Sequence, residues 1–250
     1  MANKEHKKVG IYVAHDDDAI LGIGGRMIQH IQQGDDVYLV TFTNGEYSHK
    51  FWLTKIFCGS AKGLAISEVE EKRLLEFKKA LSIIGLPQNR YYFLNLPDRG
   101  GRKWSKARDV QDKILSVTNQ ERPDIIYFHY PEWSGDHVAV NRLMSLILEK
   151  LDWDLSAYHF IFETGLWKRR LLKIIMPFSR SLRAKIIKIN VHEQLPVKRQ
   201  ALFEMKSQNS IWSYPDWPIQ RWPILPPFFL KKYLRRDHEI IIPISKKLVQ

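Results

Sequence analysis

Two short segments hold the side chains best suited to chemistry, and each follows an apolar run. His15-Asp16-Asp17-Asp18 comes directly after KVGIYVA (8 to 14), and Ser134-Gly135-Asp136-His137 lies a few residues beyond DIIYF (124 to 128). Taken singly, Asp18 reads as a helix N-cap and His137 as a first-turn residue. Taken together, two imidazoles and a carboxylate form the three-ligand set with an open position that is typical of catalytic zinc. A neighbouring carboxylate that stays off the metal can then deprotonate a bound water.

The surrounding pattern says how two segments so far apart in sequence would meet. KVGIYVA reads as a buried strand, and Ile20, Ile23, Met27 and Ile31 recur at helical spacing up to the stop at Gly34. VYLVTFT (37 to 43) is a second strand closed by Asn44-Gly45. A second helix starts at Ser67, which has capping-box spacing to Glu70, and its inner face runs Ile66, Val69, Arg73, Phe77, Ala80, Ile84. Arg73 is the charged member of that stripe; it either snorkels to an edge or is aimed at a ligand. RYYFLNL (90 to 96) gives a third strand, 105 to 119 a third helix, DIIYF a fourth strand, and His137 to Leu151 a further helix with Val140, Met144, Ile147 and Leu151 inward.

Strands alternating with helices predict an α/β fold: a Rossmann-like, three-layer α/β/α arrangement around a mainly parallel sheet. Such sheets bind ligands beyond the carboxyl ends of their strands, which puts both chemical segments on one edge. Gly22, Gly24 and Gly25 follow the first strand but lack GxGxxG spacing, so they read as small residues for close packing.

At these residues the sequence resembles the LmbE-like or PIG-L family of zinc-dependent N-deacetylases, which act on N-acetylglucosamine-type sugars. The family's AHPDDE appears as AHDDDA (14 to 19), its TxGE turn as TNGE (43 to 46), and its HxDH motif as SGDH (134 to 137). Its helix signature appears as Arg73, Glu76, Ala80 and Gly85, its LPD element as Leu96, Pro97 and Asp98, and a late K…A…SQ signature as Lys198, Ala201, Ser207 and Gln208. The resemblance implies Zn2+ as cofactor, with His15, Asp18 and His137 as its ligands and Asp17 as general base. It also implies Arg73 and Asp98 as sugar contacts, and an N-acetylated amino sugar as substrate.

The sequence departs from the family pattern in three places. Asp16 stands for the usual Pro and Ala19 for the usual Glu. Ser134 stands for the first His of HxDH, a residue expected to stabilise the oxyanion or handle a proton. Losing one such donor typically costs about 100 to 1000 fold in rate. Ser134 is then the candidate donor to the oxyanion, with His129 the nearest imidazole that could substitute. A catalytically impaired sugar-binding protein stays open as an alternative on this ground.

The chain's 250 residues include 39 Lys and Arg against 27 Asp and Glu, a net charge of +12. Lys168 to Lys188 supplies eight basic residues and no acid, interleaved with apolar ones. The run suits an anionic membrane surface or a lipid-phosphate-linked sugar, so a basic protein that binds a membrane surface or nucleic acid stays open too, with nucleic acid the less expected partner. The single cysteine, Cys58, excludes an internal disulfide and a cysteine-rich zinc finger. The charged start MANKEHKK precedes only six apolar residues, too few for a secretory core, and the expected location is cytoplasmic, at most peripheral to the membrane. The expected division is a deacetylase domain over 1 to 210 and an irregular aromatic, proline-rich C-terminal extension over 211 to 250, packed on it.

Overall fold

The computed structural model describes residues 5–43, 45, 66–131, 135–161, 186–205 and 237–244. In chain order the elements are β1 (Lys8–Val13), α1 (Asp16–Gln32), β2 (Asp36–Thr43), α2 (Ile66–Ile84), β3 (Tyr91–Leu96), the single-turn α3 (Gly101–Trp104), α4 (Arg108–Glu121) and β4 (Ile125–His129). They continue with α5 (Gly135–Lys150), β5 (Ser156–Phe160), β6 (Ile187–Asn190), α6 (Leu195–Glu204) and β7 (His238–Ile244). The sheet order is β3-β2-β1-β4-β5-β7-β6. The five strands from β3 to β5 are mutually parallel, and β7 runs antiparallel to both of its neighbours.

Alternation along the central strands divides the core into two layers. Val9, Ile11 and Val13 pack with Val37, Leu39 and Tyr127 against α1, α2 and α6. Tyr12 and Ala14 point the other way with Tyr38, Val40 and Phe128, against α4 and α5. Both faces of the sheet are covered, which is the three-layer fold expected from the alternating pattern. Strand order reverses at β1, whose neighbours are β2 and β4, so the ligand crevice of such a sheet opens beyond the carboxyl ends of β1 and β4.

Several elements lack a clear sequence signal. Within the expected aromatic extension, residues 211 to 236 and 245 to 250 lie outside the described residues, while His238–Ile244 is a regular strand in the sheet's interior. Its sequence, HEIIIPI, shows no alternation because Glu239, Ile241 and Ile242 are all buried, and Pro243 argues against a strand. β5 and β6 are short and nearly devoid of periodicity. Of the basic run, the residues from Lys168 to Lys185 lie outside the described residues, and Lys188 is exposed on β6. Among the described residues, no helix is long and apolar enough to cross a membrane.

One buried ion pair fixes α1 in place. Lys198 of α6 donates to Glu239 of β7 at 2.6 Å and to the Leu21 carbonyl at 3.1 Å. The Glu239 carboxylate also accepts the amides of Gly25 (2.7 Å) and Arg26 (2.8 Å). Leu21 and Gly25 are an i, i+4 pair, the two groups an α-helix ordinarily joins to each other. Gly25 also lets Val191 pack against the helix: a Cβ there would sit 2.6 Å from Cβ of Val191. Breaking a buried pair by removing one partner costs about 3 to 5 kcal/mol, because the other charge is left uncompensated. Glu239→Ala is therefore expected to lower the denaturant midpoint by an amount equivalent to about 3 kcal/mol or more, with an unchanged slope. A midpoint equal to wild type would mean that Lys198 finds solvent and the pair is not what holds α1.

Candidate metal centre

The strand ends are tied together before any functional side chain is placed. The Ala14 carbonyl accepts both the amide and the hydroxyl of Thr43, each at 2.9 Å, and the Ala14 amide donates to Nε2 of His129 at 3.1 Å. The carboxyl ends of β1, β2 and β4 thus share one residue. With no intervening loop, His15 is the N-cap of α1, and the helix opens on Asp16, Asp17 and Asp18, acids that suit the positive end of its dipole.

Asp18 is the centre of the site and is almost fully buried. Its Oδ2 accepts the His15 amide at 2.9 Å and lies 3.0 Å from His15 Nδ1, 3.2 Å from His129 Nε2 and 3.2 Å from His137 Nε2. The rings of His129 and His137 stack with centroids 4.0 Å apart. On its other side, His15 Nε2 is 3.2 Å from Asp98 Oδ1 and 3.5 Å from Asp136 Oδ2. Those two carboxylates are held by backbone amides: Arg99 donates to both, and Gly101 to Asp136. Arg73 of α2 grips Asp16 through Nε and a second guanidinium nitrogen, and reaches the Gly45 carbonyl through the third.

Charge is distributed unevenly across these groups. Burial opposes ionisation of Asp18, but the neighbouring imidazoles, His137 first and His15 with it, hold its carboxyl well below the usual carboxylate range. Burial also disfavours a charged His15, and the carboxylates of Asp18, Asp136 and Asp98 outweigh it, holding the imidazole well above its ordinary value. Burial and the neighbouring His137 push His129 down to about 3, so it is neutral and its Nε2 accepts the Ala14 amide. Asp17 is raised to about 6 by burial and by the Asp18 and Asp16 carboxylates, close to neutrality, where a proton acceptor works best.

The donor set fits a divalent cation. Ligand atoms of His15, Asp18 and His137 all lie within 4.8 Å of one another, and so do those of His15, Asp98 and Asp136. Two imidazoles and a carboxylate are suitable zinc donors, whereas the second group's carboxylates already accept backbone amides. Its geometry is that of carboxylates supporting a ligand histidine from behind.

Of the residues singled out from sequence, His15, Asp17, Asp18, Arg73, Asp98 and His137 come together here, and Ser134 lies outside the described residues. Sequence reasoning passed over Asp136, which ties the turn after β3 to α5. Its position beside His137 in SGDH was the available signal. His129, named only as a substitute imidazole, proves to be packed directly against Asp18.

Fold and donor set together define the class: a doubly wound α/β protein whose sheet carries, at the switch point, a side-chain set of the kind that holds one divalent cation. The chain belongs to the PIG-L family, described as GlcNAc-PI de-N-acetylases, whose model matches residues 11–148. It is 27% identical over 126 residues to a diacetylchitobiose deacetylase of Thermococcus kodakarensis, a match spanning 50% of this chain and 41% of that protein. Among solved structures it is similar to the N,N'-diacetylchitobiose deacetylase of Pyrococcus horikoshii, with a TM-score of 0.68 at 17% identity over 99% of this chain and 87% of the other. It is also similar to a 4-carboxy-2-hydroxymuconate hydratase of Pseudomonas putida, with a TM-score of 0.66 at 16% identity over 96% of each.

Behind the site, Asn141 of α5 donates to the His129 carbonyl at 2.9 Å and lies 2.8 Å from His159 Nε2. Burial pushes His159 down to about 4. Its folded pKa is therefore below its unfolded value of about 6.5, and protonation favours the unfolded chain. The contribution of His159 to stability is intact above about pH 6.5 and is lost as pH falls towards 4. Unfolding midpoints measured from pH 7 to pH 4 are expected to fall less steeply in His159→Gln than in wild type. Parallel profiles would show that His159 is not among the groups driving acid destabilisation.

Proposed function

We propose that this protein is a zinc-dependent hydrolase that removes the N-acetyl group from an N-acetylated amino sugar. The observation that carries the reading is the convergence of His15, Asp18 and His137, with the half-buried Asp17 carboxylate in the same helical turn. Membership of a de-N-acetylase family supports the same reaction class.

When bound, zinc would polarise the amide carbonyl and acidify a water. Asp17 accepts the proton released as water attacks, a role its elevated pKa suits. The amide C–N bond breaks, acetate leaves, and the proton held by Asp17 passes to the departing amine. Asp98, at the end of β3, orients His15 through Nε2 and stands at the edge where a sugar hydroxyl would be recognised. Ser134 is the proposed donor to the oxyanion. His129 is neutral, so it adds no positive charge there and serves as the wall against which His137 stacks.

The test is acetate release from N-acetylglucosamine and N,N'-diacetylchitobiose by zinc-loaded protein, with metal content measured alongside. Asp17→Asn is expected to keep the metal and to lose about 100 to 10,000 fold in kcat, the range for removing a general base. Loss of metal in that variant would exchange the roles of Asp17 and Asp18. Zinc binding without acetate release by wild type would leave a sugar-binding protein, the reading that Ser134 in place of histidine favours.

A further inference from the structure

The first of the three consecutive aspartates takes no part in the proposed chemistry, and its contacts give it another task. Asp16 is 8% exposed and Arg73 is 5% exposed. The guanidinium engages Asp16 with two nitrogens, Nε to Oδ2 at 3.2 Å and a terminal nitrogen to Oδ1, while the other terminal nitrogen donates to the Gly45 carbonyl at 3.1 Å. This is the two-point fork that a guanidinium forms with a carboxylate and a lysine cannot reproduce. The Asp16 Oδ1 that takes the guanidinium also accepts the Asp17 amide at 2.9 Å. One carboxylate oxygen therefore joins α2 to the backbone of the residue proposed to move the proton.

The chain after β2 is shaped around the same group. Gly45 has a φ of +65°, and a Cβ there would lie 2.5 Å from Cζ of Arg73. A side chain would displace the guanidinium as well as straining the backbone.

We propose that Arg73 is a positioning residue, clamped by Asp16 and the Gly45 carbonyl, that sets the first turn of α1 and so the placement of Asp17 and Asp18, and that it does not bind the sugar. Each of its three nitrogens donates one hydrogen bond to the protein, which uses three of the guanidinium's five N–H groups. Its charge is balanced by Asp16, so Arg73 itself is not a free cation for a phosphate and suits an uncharged part of the substrate. The three aspartates then divide the work: Asp16 anchors, Asp17 moves the proton, and Asp18 holds the imidazoles.

The kinetic part rests on the deacetylase reading, so the test pairs it with a measurement that does not. In Arg73→Lys, which keeps the charge and loses the fork, amide hydrogen exchange in the metal-free protein is expected to accelerate at residues 16 to 19 and not along β1 or β4. Turnover is expected to fall about 100 fold, as displacing a catalytic group by about 1 Å can do. KM for an uncharged acetylated sugar should stay within about threefold, since no ground-state contact is removed. Should the single variant fail to fold, the doubly neutral Asp16→Asn/Arg73→Gln pair leaves no unpaired buried charge and is expected to show the same exchange and turnover effects. A raised KM with kcat retained would make Arg73 a sugar contact and overturn the proposal. Unchanged exchange at residues 16 to 19 would overturn it whatever the protein's activity. The described exchange in Arg73→Lys together with no acetate release by wild type would sink the deacetylase reading and leave the clamp standing.

Discussion

A single buried carboxylate oxygen, Oδ2 of Asp18, is approached by three imidazoles and one backbone amide, and the rest of the site follows from that crowding. Buried charge is tolerated only when it is paired and hydrogen-bonded. Here the compensation comes from His15, whose imidazole is held well above its ordinary value and is braced by Asp98 and Asp136. A divalent cation between the same donors would satisfy that demand more completely, which is why the cluster reads as a metal centre and not as an internal salt bridge.

Such a cluster needs its donors held from several directions. The adjacency of β1 and β4 brings His15 and His129 side by side, and the first turn of α5 adds His137. Helix α1 is secured at both levels: its first turn by Arg73, and its middle by Lys198 and Glu239. The second attachment couples the site to β7, more than 200 residues away in sequence. Distant parts of the chain thus hold α1 at its first turn and at its middle.

The fold does not choose the reaction. A hydratase and a sugar deacetylase both share this architecture with the chain. What separates the possible chemistries is the side-chain set at the strand ends, and in this chain that set is two imidazoles, one carboxylate and a raised-pKa neighbour.

Much of this was legible from residues alone. The strands KVGIYVA, VYLVTFT and DIIYF announced themselves by β-branched apolar runs, and His15, Asp18 and His137 by residue types placed just past strand ends, because both signals are local. β5, β6 and β7 were not, since β5 and the edge strand β6 are short and lack periodicity, while HEIIIPI does not alternate and carries a proline. The partners of Arg73 could not be read either: its place in an apolar stripe left two meanings open, and its contacts with Asp16 and Gly45 arise only through packing. The same holds for Asp136, His129 and Glu239. Sequence determines which groups are available and which local element carries them, but pairing across 50 to 200 residues depends on sheet order and register, and those exist only once the chain is folded.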